Sequence, residues 1–262
     1  MRILLLAGEG ILPVLVKEEA SRAFQVITVS CRLLRLHPRL FPEYLLEHFS
    51  LRKLAEILTK EQPYAVCCAG KVPKAHVFAF GATDASGAEF FSACQSLRDR
   101  DILGKFLEFF QKQHVQVLSP VNFLRKWITR EGVFCGPLPT EEEWHDIRYG
   151  LRIARFLADE EIGQTVVVKR GTIVALEGAE GTDETIRRGL ALARGGVVVK
   201  VARSNQDFFI DIPTVGAETV RLLVEGGGRV LALESGRTLL VDQEEVQELS
   251  KRSGVTVLGI TL

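Results

Sequence analysis

The sequence predicts an α/β protein of two domains, an N-terminal Rossmann-like parallel sheet followed by a C-terminal mixed α/β domain. Three observations carry this. Short apolar runs and helical stripes alternate as β-α-β-α-β over about the first 70 residues, with connections short enough to imply parallel strands. Further on, VVVKRGTIVAL reads as a hairpin, which needs an antiparallel pair and therefore a mixed sheet. Between the halves, residues 131–141 are marked by glycine and proline, as linkers are. At 262 residues the chain lies near the size at which one core divides into two. The expected domains are 1–132 and 141–262.

In the first half, residues 3–7 form a short apolar strand that runs into Gly8, Glu9 and Gly10. Pro13 then stands at the start of a periodic segment, VLVKEEASRAF. Mononucleotide-binding units open with this order of strand, glycine turn and helix. FQVITVS at 24–30 is a second strand, and 33–50 is irregular, with His37, His48, Pro38 and Pro42. Apolar residues at 51, 54, 57 and 58 make a helical stripe, and 64–69 form a buried strand ending in Gly70, Lys71, Val72 and Pro73. Segment 74–100 is rich in small residues, and its second half suits a helix. Residues 101–113 place Ile102, Leu103, Phe106, Leu107 and Phe110 on one helical side. HVQVL at 114–118 is a fourth strand, and Ser119 and Pro120 open a short helix through Trp127.

The second half begins with an amphipathic helix over 141–159, its apolar stripe made by Trp144, Ile147, Leu151, Ala154 and Leu157. After the hairpin, EGAEGTDE sets acids among glycines before a helix over 183–194, for which Thr182 or Asp183 is the expected cap. GGVVVKVAR is a strand ending in Lys200 and Arg203. IDIPTVG leads to a helix over 217–225, then RVLAL and a short strand at 238–241. A helix capped by Asp242 runs to 251, and a strand at 255–260 closes the chain.

Composition narrows the function. The 33 basic and 33 acidic residues cancel, so no nucleic-acid partner is expected. The five cysteines form no CxxC, and Cys67 and Cys68 sit together in an apolar run, which points to reduced, buried thiols in a cytoplasmic protein. The opening MRILLLAGEG breaks into glycines too early for a signal peptide. No apolar run reaches the roughly 18 residues of a spanning helix, so the chain is expected to be soluble, with contact to a membrane surface left open. GxxxxGK[ST], HExxH and GxSxG are all absent, which removes the usual signals of P-loop enzymes, zinc proteases and serine hydrolases.

Several residues remain as candidates for chemistry. Asp211 stands in IDIPTVG, where the chain is extended before Pro213. A carboxylate there can hold a divalent ion, orient a water or act as a base, and it can equally cap the following helix. Glu177, Glu180 and Asp183 offer ligands to a metal or to sugar hydroxyls, or are solvated loop charges. Lys169, Lys200, Arg203, Arg187 and Arg188 can clamp phosphoryl oxygens, or simply face solvent. Gly8, Glu9 and Gly10, with Gly70, Lys71 and Lys74, leave two strands where a nucleoside or diphosphate would bind in an open parallel sheet, and tight turns explain the same letters. A nucleotide-binding oxidoreductase is a rival reading, weakened because GEG lacks a third glycine and Cys31 stands where an acid would follow the second strand. A non-catalytic nucleotide- or lipid-binding module stays open as well.

LAGEGILPVLV, CCAGKVPK, EIGQTVVV, EGTDETIRR, ARGGVVVKVA, QDFFIDIPTVG and ESGRTLLVD, in this order, make the chain resemble the LpxI-type UDP-2,3-diacylglucosamine pyrophosphatases. The resemblance implies hydrolysis of the diphosphate of UDP-2,3-diacylglucosamine to UMP and 2,3-diacylglucosamine 1-phosphate (lipid X), a cytoplasmic step of lipid A biosynthesis. It implies a lipid cleft between two domains and dependence on Mg2+ or Mn2+. It also implies peripheral contact with the cytoplasmic face of the inner membrane, and leaves a homodimer open. Matched by position, Asp211 and Lys200 become the catalytic residues, and Asp211, Asp183 and Glu180 the metal ligands. The substrate-binding residues become Gly8, Glu9, Gly10, Gly70, Lys71, Lys74, Gln164, Thr182 and Thr214. A diacylated substrate asks for apolar lining, for which Phe78, Phe80, Phe90, Phe91, Phe106, Phe109 and Phe110 are candidates, with a plain core role as the alternative.

Overall fold

The computed structural model describes residues 1–80, 85–206, 208 and 212–261, so Asp211 lies outside the described residues. The chain divides into two compact units, Met1–Arg125 and Lys126–Gln206 with 212–261. Strands β1 (Arg2–Ala7), β2 (Gln25–Cys31), β3 (Tyr44–Leu46), β4 (Ala65–Ala69) and β5 (Gln116–Leu118) build the first unit's sheet in the order β3-β2-β1-β4-β5. All four pairings are parallel, which fits their continuous apolar runs, since a parallel sheet is covered on both faces. The helices of this unit are α1 (Leu12–Ala20), α2 (Leu51–Glu61), α3 (Lys74–Phe80), α4 (Ala85–Ser92), α5 (Asp99–Lys112) and α6 (Val121–Leu124). Leu54, Ile57 and Leu58 of α2 and Phe110 of α5 pack on Leu4, Ile27, Val29 and Val66. Helix α1 packs on β1, β2 and β4, and the strand alternation turns Ile3 and Leu5 away from the α2 side.

Phe90 and Phe106 each meet Phe49 edge-on and tilt against one another, with Val77 and Ile102 around them, and Phe110 is fully buried. These rings are core. The side chains of Phe78 and Phe80 lie outside the described residues.

The second unit contains β6 (Gly132–Cys135), α7 (Glu141–Asp159), β7 (Thr165–Lys169), β8 (Thr172–Leu176), α8 (Thr182–Leu192), β9 (Val197–Lys200), β10 (Thr214–Val215) and α9 (Ala217–Glu225). It closes with β11 (Val230–Glu234), β12 (Leu239–Leu240), α10 (Gln243–Ser253) and β13 (Thr256–Ile260). Its main sheet runs β6-β13-β11-β9-β7-β8. β9, β11 and β13 are parallel, while β6, β7 and β8 each run antiparallel to their neighbours. The hairpin turns at Arg170 and Gly171, both at positive φ, as a two-residue turn of this hand requires. Asp146, 2% exposed, accepts both turn amides at 2.8 and 2.7 Å. Strand alternation splits the core in two: Val166, Val168, Val197 and Val199 meet α7, and Val167, Val198, Leu231 and Leu233 meet α8, α9 and α10. Each such side chain contributes roughly 1.5–3 kcal/mol by leaving water.

Two short strands depart from the sequence reading. β3 lies in the stretch read as irregular, and β6 lies in the stretch read as a linker, where it pairs with β13. The expected helix caps also differ. Gly181, at φ +88, is the N-cap of α8, and Thr182 is its first residue. Asp242 does take the N-cap position of α10, at φ +51, but its side chain makes no capping bond there, and its Oδ2 accepts the amide of Ala217 at 3.4 Å at the start of α9.

Candidate active site

In the first unit, strand order reverses between β1 and β4, the place outside the carboxyl ends where open parallel sheets bind ligands. The loops leaving these strands are joined backbone to backbone. Gly8 N donates to Ala69 O at 2.8 Å, Glu9 N to Lys71 O at 2.8 Å and Lys71 N to Glu9 O at 3.0 Å. A Cβ on Gly8 would lie 2.7 Å from Lys71 O, and one on Gly70 would lie 2.7 Å from Glu9 O. The glycines therefore permit the contact between the loops. Gly10 and Gly70 also take φ of +90 and +94, where a side chain is strained. Glu9 Oε1 accepts the amide of Arg35 at 2.9 Å and lies 3.9 Å from His76 Nε2. Lys74 Nζ donates to Leu97 O at 2.8 Å, and Lys71 is exposed.

In the second unit the polar residues gather at one edge of the main sheet. β9 ends there at Lys200, and β7, running the other way, begins there at Thr165, which pairs with Lys200. Lys200 is 6% exposed and donates from Nζ to Thr182 Oγ1 at 2.6 Å. Thr182 in turn donates to Glu177 Oε1 at 3.1 Å, so one directed chain links ammonium, hydroxyl and carboxylate. Thr165 Oγ1 lies 3.3 Å from the same hydroxyl. Glu177 Oε2 accepts the amide of Gln164 at 3.1 Å, and Gln164 Nε2 reaches Gln206 Oε1 at 3.0 Å. Because its N-cap is Gly181, α8 starts without a side-chain cap, and its first residue, Thr182, is bonded to a buried cation. A phosphoryl oxygen is suited to that pairing of helix N-terminus and ammonium.

The other sequence candidates have distinct surroundings. Glu180 Oε2 accepts Gly178 N at 3.1 Å, and its Oε1 accepts Arg188 Nη2 at 2.6 Å and Thr185 at 3.3 Å. A hydrogen bond from its own backbone amide, followed by Arg188, holds its carboxyl below the usual range. Asp183 Oδ1 accepts Thr219 Oγ1 at 3.1 Å, tying α8 to α9. Among the described residues, no hydrogen bond or ion pair joins either carboxylate to Lys200. Thr214 Oγ1 donates to Ile212 O at 2.9 Å. Lys169 is bound to Gly195 O at 3.0 Å, Arg203 lies 3.6 Å from Glu161, and Arg187 lies 3.1 Å from Glu184. The structure thus brings together Lys200, Thr182, Glu177 and Gln164. Gln206 joins them unforeseen, because its partner Gln164 is 42 residues away and nothing local marks it.

The comparisons agree across both units. Residues 2–127 match the LpxI N-terminal domain and residues 130–258 the LpxI C-terminal domain. The chain is 29% identical to a UDP-2,3-diacylglucosamine pyrophosphatase LpxI of Caulobacter vibrioides over 279 aligned residues, covering 98% of this chain and 96% of that protein. Among solved structures, a CobK precorrin-6A reductase aligns at 10% identity with a TM-score of 0.32, over 100% of this chain and 87% of that one. That likeness carries no argument. The two domain matches, end to end and in order, show that the chain belongs to the LpxI family.

Proposed function

We propose that this chain hydrolyses the diphosphate of UDP-2,3-diacylglucosamine, releasing UMP and 2,3-diacylglucosamine 1-phosphate in lipid A biosynthesis. The observation that carries this reading is the nearly full-length match to the Caulobacter vibrioides protein, which bears that activity in its name. The geometry supports it. Lys200 is held at the carboxyl end of β9 beside the start of α8, where a cation and helix amides can take phosphoryl oxygens as charge builds on them. Asp211, outside the described residues, has the proposed role of aiming the attacking water or holding an ion.

Dependence on Mg2+ or Mn2+ belongs to the same proposal. Among the described residues no group of three His, Cys, Asp or Glu side chains is placed to hold a metal, and of the two carboxylates Asp183 takes a protein donor on Oδ1 alone, whereas both oxygens of Glu180 already accept Gly178, Thr185 and Arg188. The proposed ligands are accordingly Asp211 and Asp183, with Glu180 supporting through its hold on Arg188. Mg2+ commonly uses one or two carboxylates with substrate phosphates and water, and when bound it would neutralise the phosphoryl oxygens. Gly8, Glu9, Gly10, Gly70, Lys71 and Lys74 are the proposed nucleotide contacts, and Gln164, Thr182 and Thr214 the contacts of the second unit. Among the described residues no helix is long and apolar enough to cross a membrane. Peripheral contact with the inner membrane is proposed as the route to a diacylated substrate.

The test is incubation of purified protein with UDP-2,3-diacylglucosamine and Mg2+, or with chelator, followed by detection of UMP. Release of UMP that chelator abolishes is the expected result, and no UMP under either condition overturns the reading. In oxygen-18 water the label is expected in UMP. Label in the lipid phosphate would mean attack on the other phosphorus.

A further inference from the structure

ESGRTLLVD, one of the segments that carry the resemblance, contains no residue given a role above. Glu234 ends β11 at the same sheet edge as Lys200, since Leu233 pairs with Lys200 across the parallel ladder. Its carboxylate is 5% exposed, accepts two hydrogen bonds and is also ion-paired with a second arginine. Oε2 takes the buried amide of Ala202 at 2.8 Å. Oε1 takes Arg155 Nη2 at 2.6 Å and lies 3.2 Å from Arg237 Nε. Both arginines then reach the same short segment. Arg237 Nη2 donates to Arg203 O and, at 2.9 Å, to Ser204 O, and Arg155 Nη1 donates to Ser204 Oγ at 3.2 Å. Asp159 completes the hold, accepting Ser204 N at 2.7 Å and Ser204 Oγ at 2.8 Å.

Residues 201–206 are neither helix nor strand, yet five of their six amides have protein acceptors. Val201 N donates to Gln164 O, Ala202 N to Glu234, Arg203 N to Gln206 Oε1, Ser204 N to Asp159 and Gln206 N to Arg203 O. Irregular backbone whose donors are met by solvent opens readily; this segment is held by side chains at several positions, of which Glu234 and Gln206 are buried. It begins immediately after Lys200 and, in sequence, leads to Asp211.

We propose that Glu234, with Arg155 and Arg237 as its arms, is a positioning residue for the reaction. It fixes the 201–206 segment and so sets how Lys200, the residue immediately before that segment, is presented to the site. The role rests on the hydrolase reading above. A carboxylate is required because a backbone amide and two guanidinium groups converge on it. An amide of the same size would turn an N–H group toward either the arginines or Ala202. Groups that orient catalytic residues in this way typically cost 10- to 100-fold when altered.

The test pairs two readouts on Glu234→Gln. Kinetically, kcat for UMP release is expected to fall about 10- to 100-fold with KM changed less than about threefold, as for an interaction felt in the transition state. By hydrogen exchange, the amides of 202–206 are expected to lose protection while those of β9 and β11 keep theirs. Wild-type kcat in the folded variant overturns the role, and so does unchanged exchange at 202–206. Should Glu234→Gln fail to fold, Arg155→Met, which removes one arm and leaves the carboxylate its other donors, is read in the same two ways. A wild-type protein that releases no UMP defeats the hydrolase reading by itself, and exchange at 202–206 then still decides whether Glu234 pins the segment.

Discussion

Lys200 Nζ lies 2.6 Å from Thr182 Oγ1, so a buried ammonium at the end of β9 is fixed against the first residue of α8. The ammonium supplies the positive charge assigned to this spot, and the hydroxyl both accepts from it and passes a hydrogen bond to Glu177. Lys200→Met is expected to lower turnover by about 100- to 1000-fold, the range for loss of one transition-state donor. Thr182→Val leaves the ammonium buried without this acceptor, and is expected to cost about 1–3 kcal/mol of stability as well as activity. Rates of UMP release and thermal unfolding of each variant check the two effects separately.

Asp211 follows the pinned segment and precedes Pro213. If it aims the water or holds the ion, Asp211→Ala keeps the fold and loses turnover by orders of magnitude. Near-wild-type UMP release from a folded Asp211→Ala protein would return the residue to a structural role.

Much of the fold is legible because the core strands are continuous apolar runs. Residues such as Ile3, Leu4 and Leu5, or Val197, Val198 and Val199, need cover on both faces, and helices on both sides provide it. What escaped were edges. β3 has three residues, two half-buried and one exposed, and β6 four, two of them exposed, so neither is long enough to show a period that a reader of letters can count. The site divides in the same way. Lys200 stands out as a base ending an apolar strand. Thr182 was read as a cap because the letters favour it, yet Gly181 takes that place and frees the hydroxyl for Lys200. Glu234 has one local partner, Arg237 three residues on, while Ala202 and Arg155 are 32 and 79 residues away and leave no sign in the letters around it.

The loop pair of the first unit makes a prediction about stability. Alanine at Gly8 or Gly70 would push a Cβ to within 2.7 Å of a backbone carbonyl oxygen, and at Gly70 would also occupy φ +94. Backbone cannot yield as a side-chain end can, so each variant is expected to lose roughly 1–3 kcal/mol. Denaturant unfolding should show a lower midpoint for both, whereas Gly104→Ala, with open space at its Cβ, should match or exceed the wild type.

The thiols should be unreactive in the native chain. Burial pushes Cys68 up to about 12 and Cys67 higher still, and burial also raises Cys31, Cys94 and Cys135. At pH 8 little thiolate is present at Cys67 and Cys68, so iodoacetamide is expected to label these two only after unfolding, as mass spectrometry of labelled peptides would show.

Glu143 links the start of α7 to pH. Thr140 and Glu143 form a reciprocal capping box, and Glu143 Oε1 also lies 3.3 Å from Arg229 Nε. Burial alone would raise its pKa, but the amide and hydroxyl of Thr140 and the Arg229 guanidinium together outweigh it and lower the pKa from 4.5. A carboxyl whose folded pKa is depressed stabilises the fold fully above its unfolded pKa, and this contribution disappears as pH falls through the folded value. Glu143→Gln keeps the box's acceptor but loses the charge opposite Arg229 and at the positive end of α7. At pH 7 it is expected to cost roughly 0.5–1 kcal/mol, within the range for cap and helix-dipole interactions. The difference between wild type and variant should stay constant down to about pH 5 and then shrink toward zero below about 4.5, as Glu143 takes up its proton. Urea unfolding at pH 7, 5 and 3.5 measures it. A difference that persists undiminished at pH 3.5 would mean that shape, and not charge, is what Glu143 contributes.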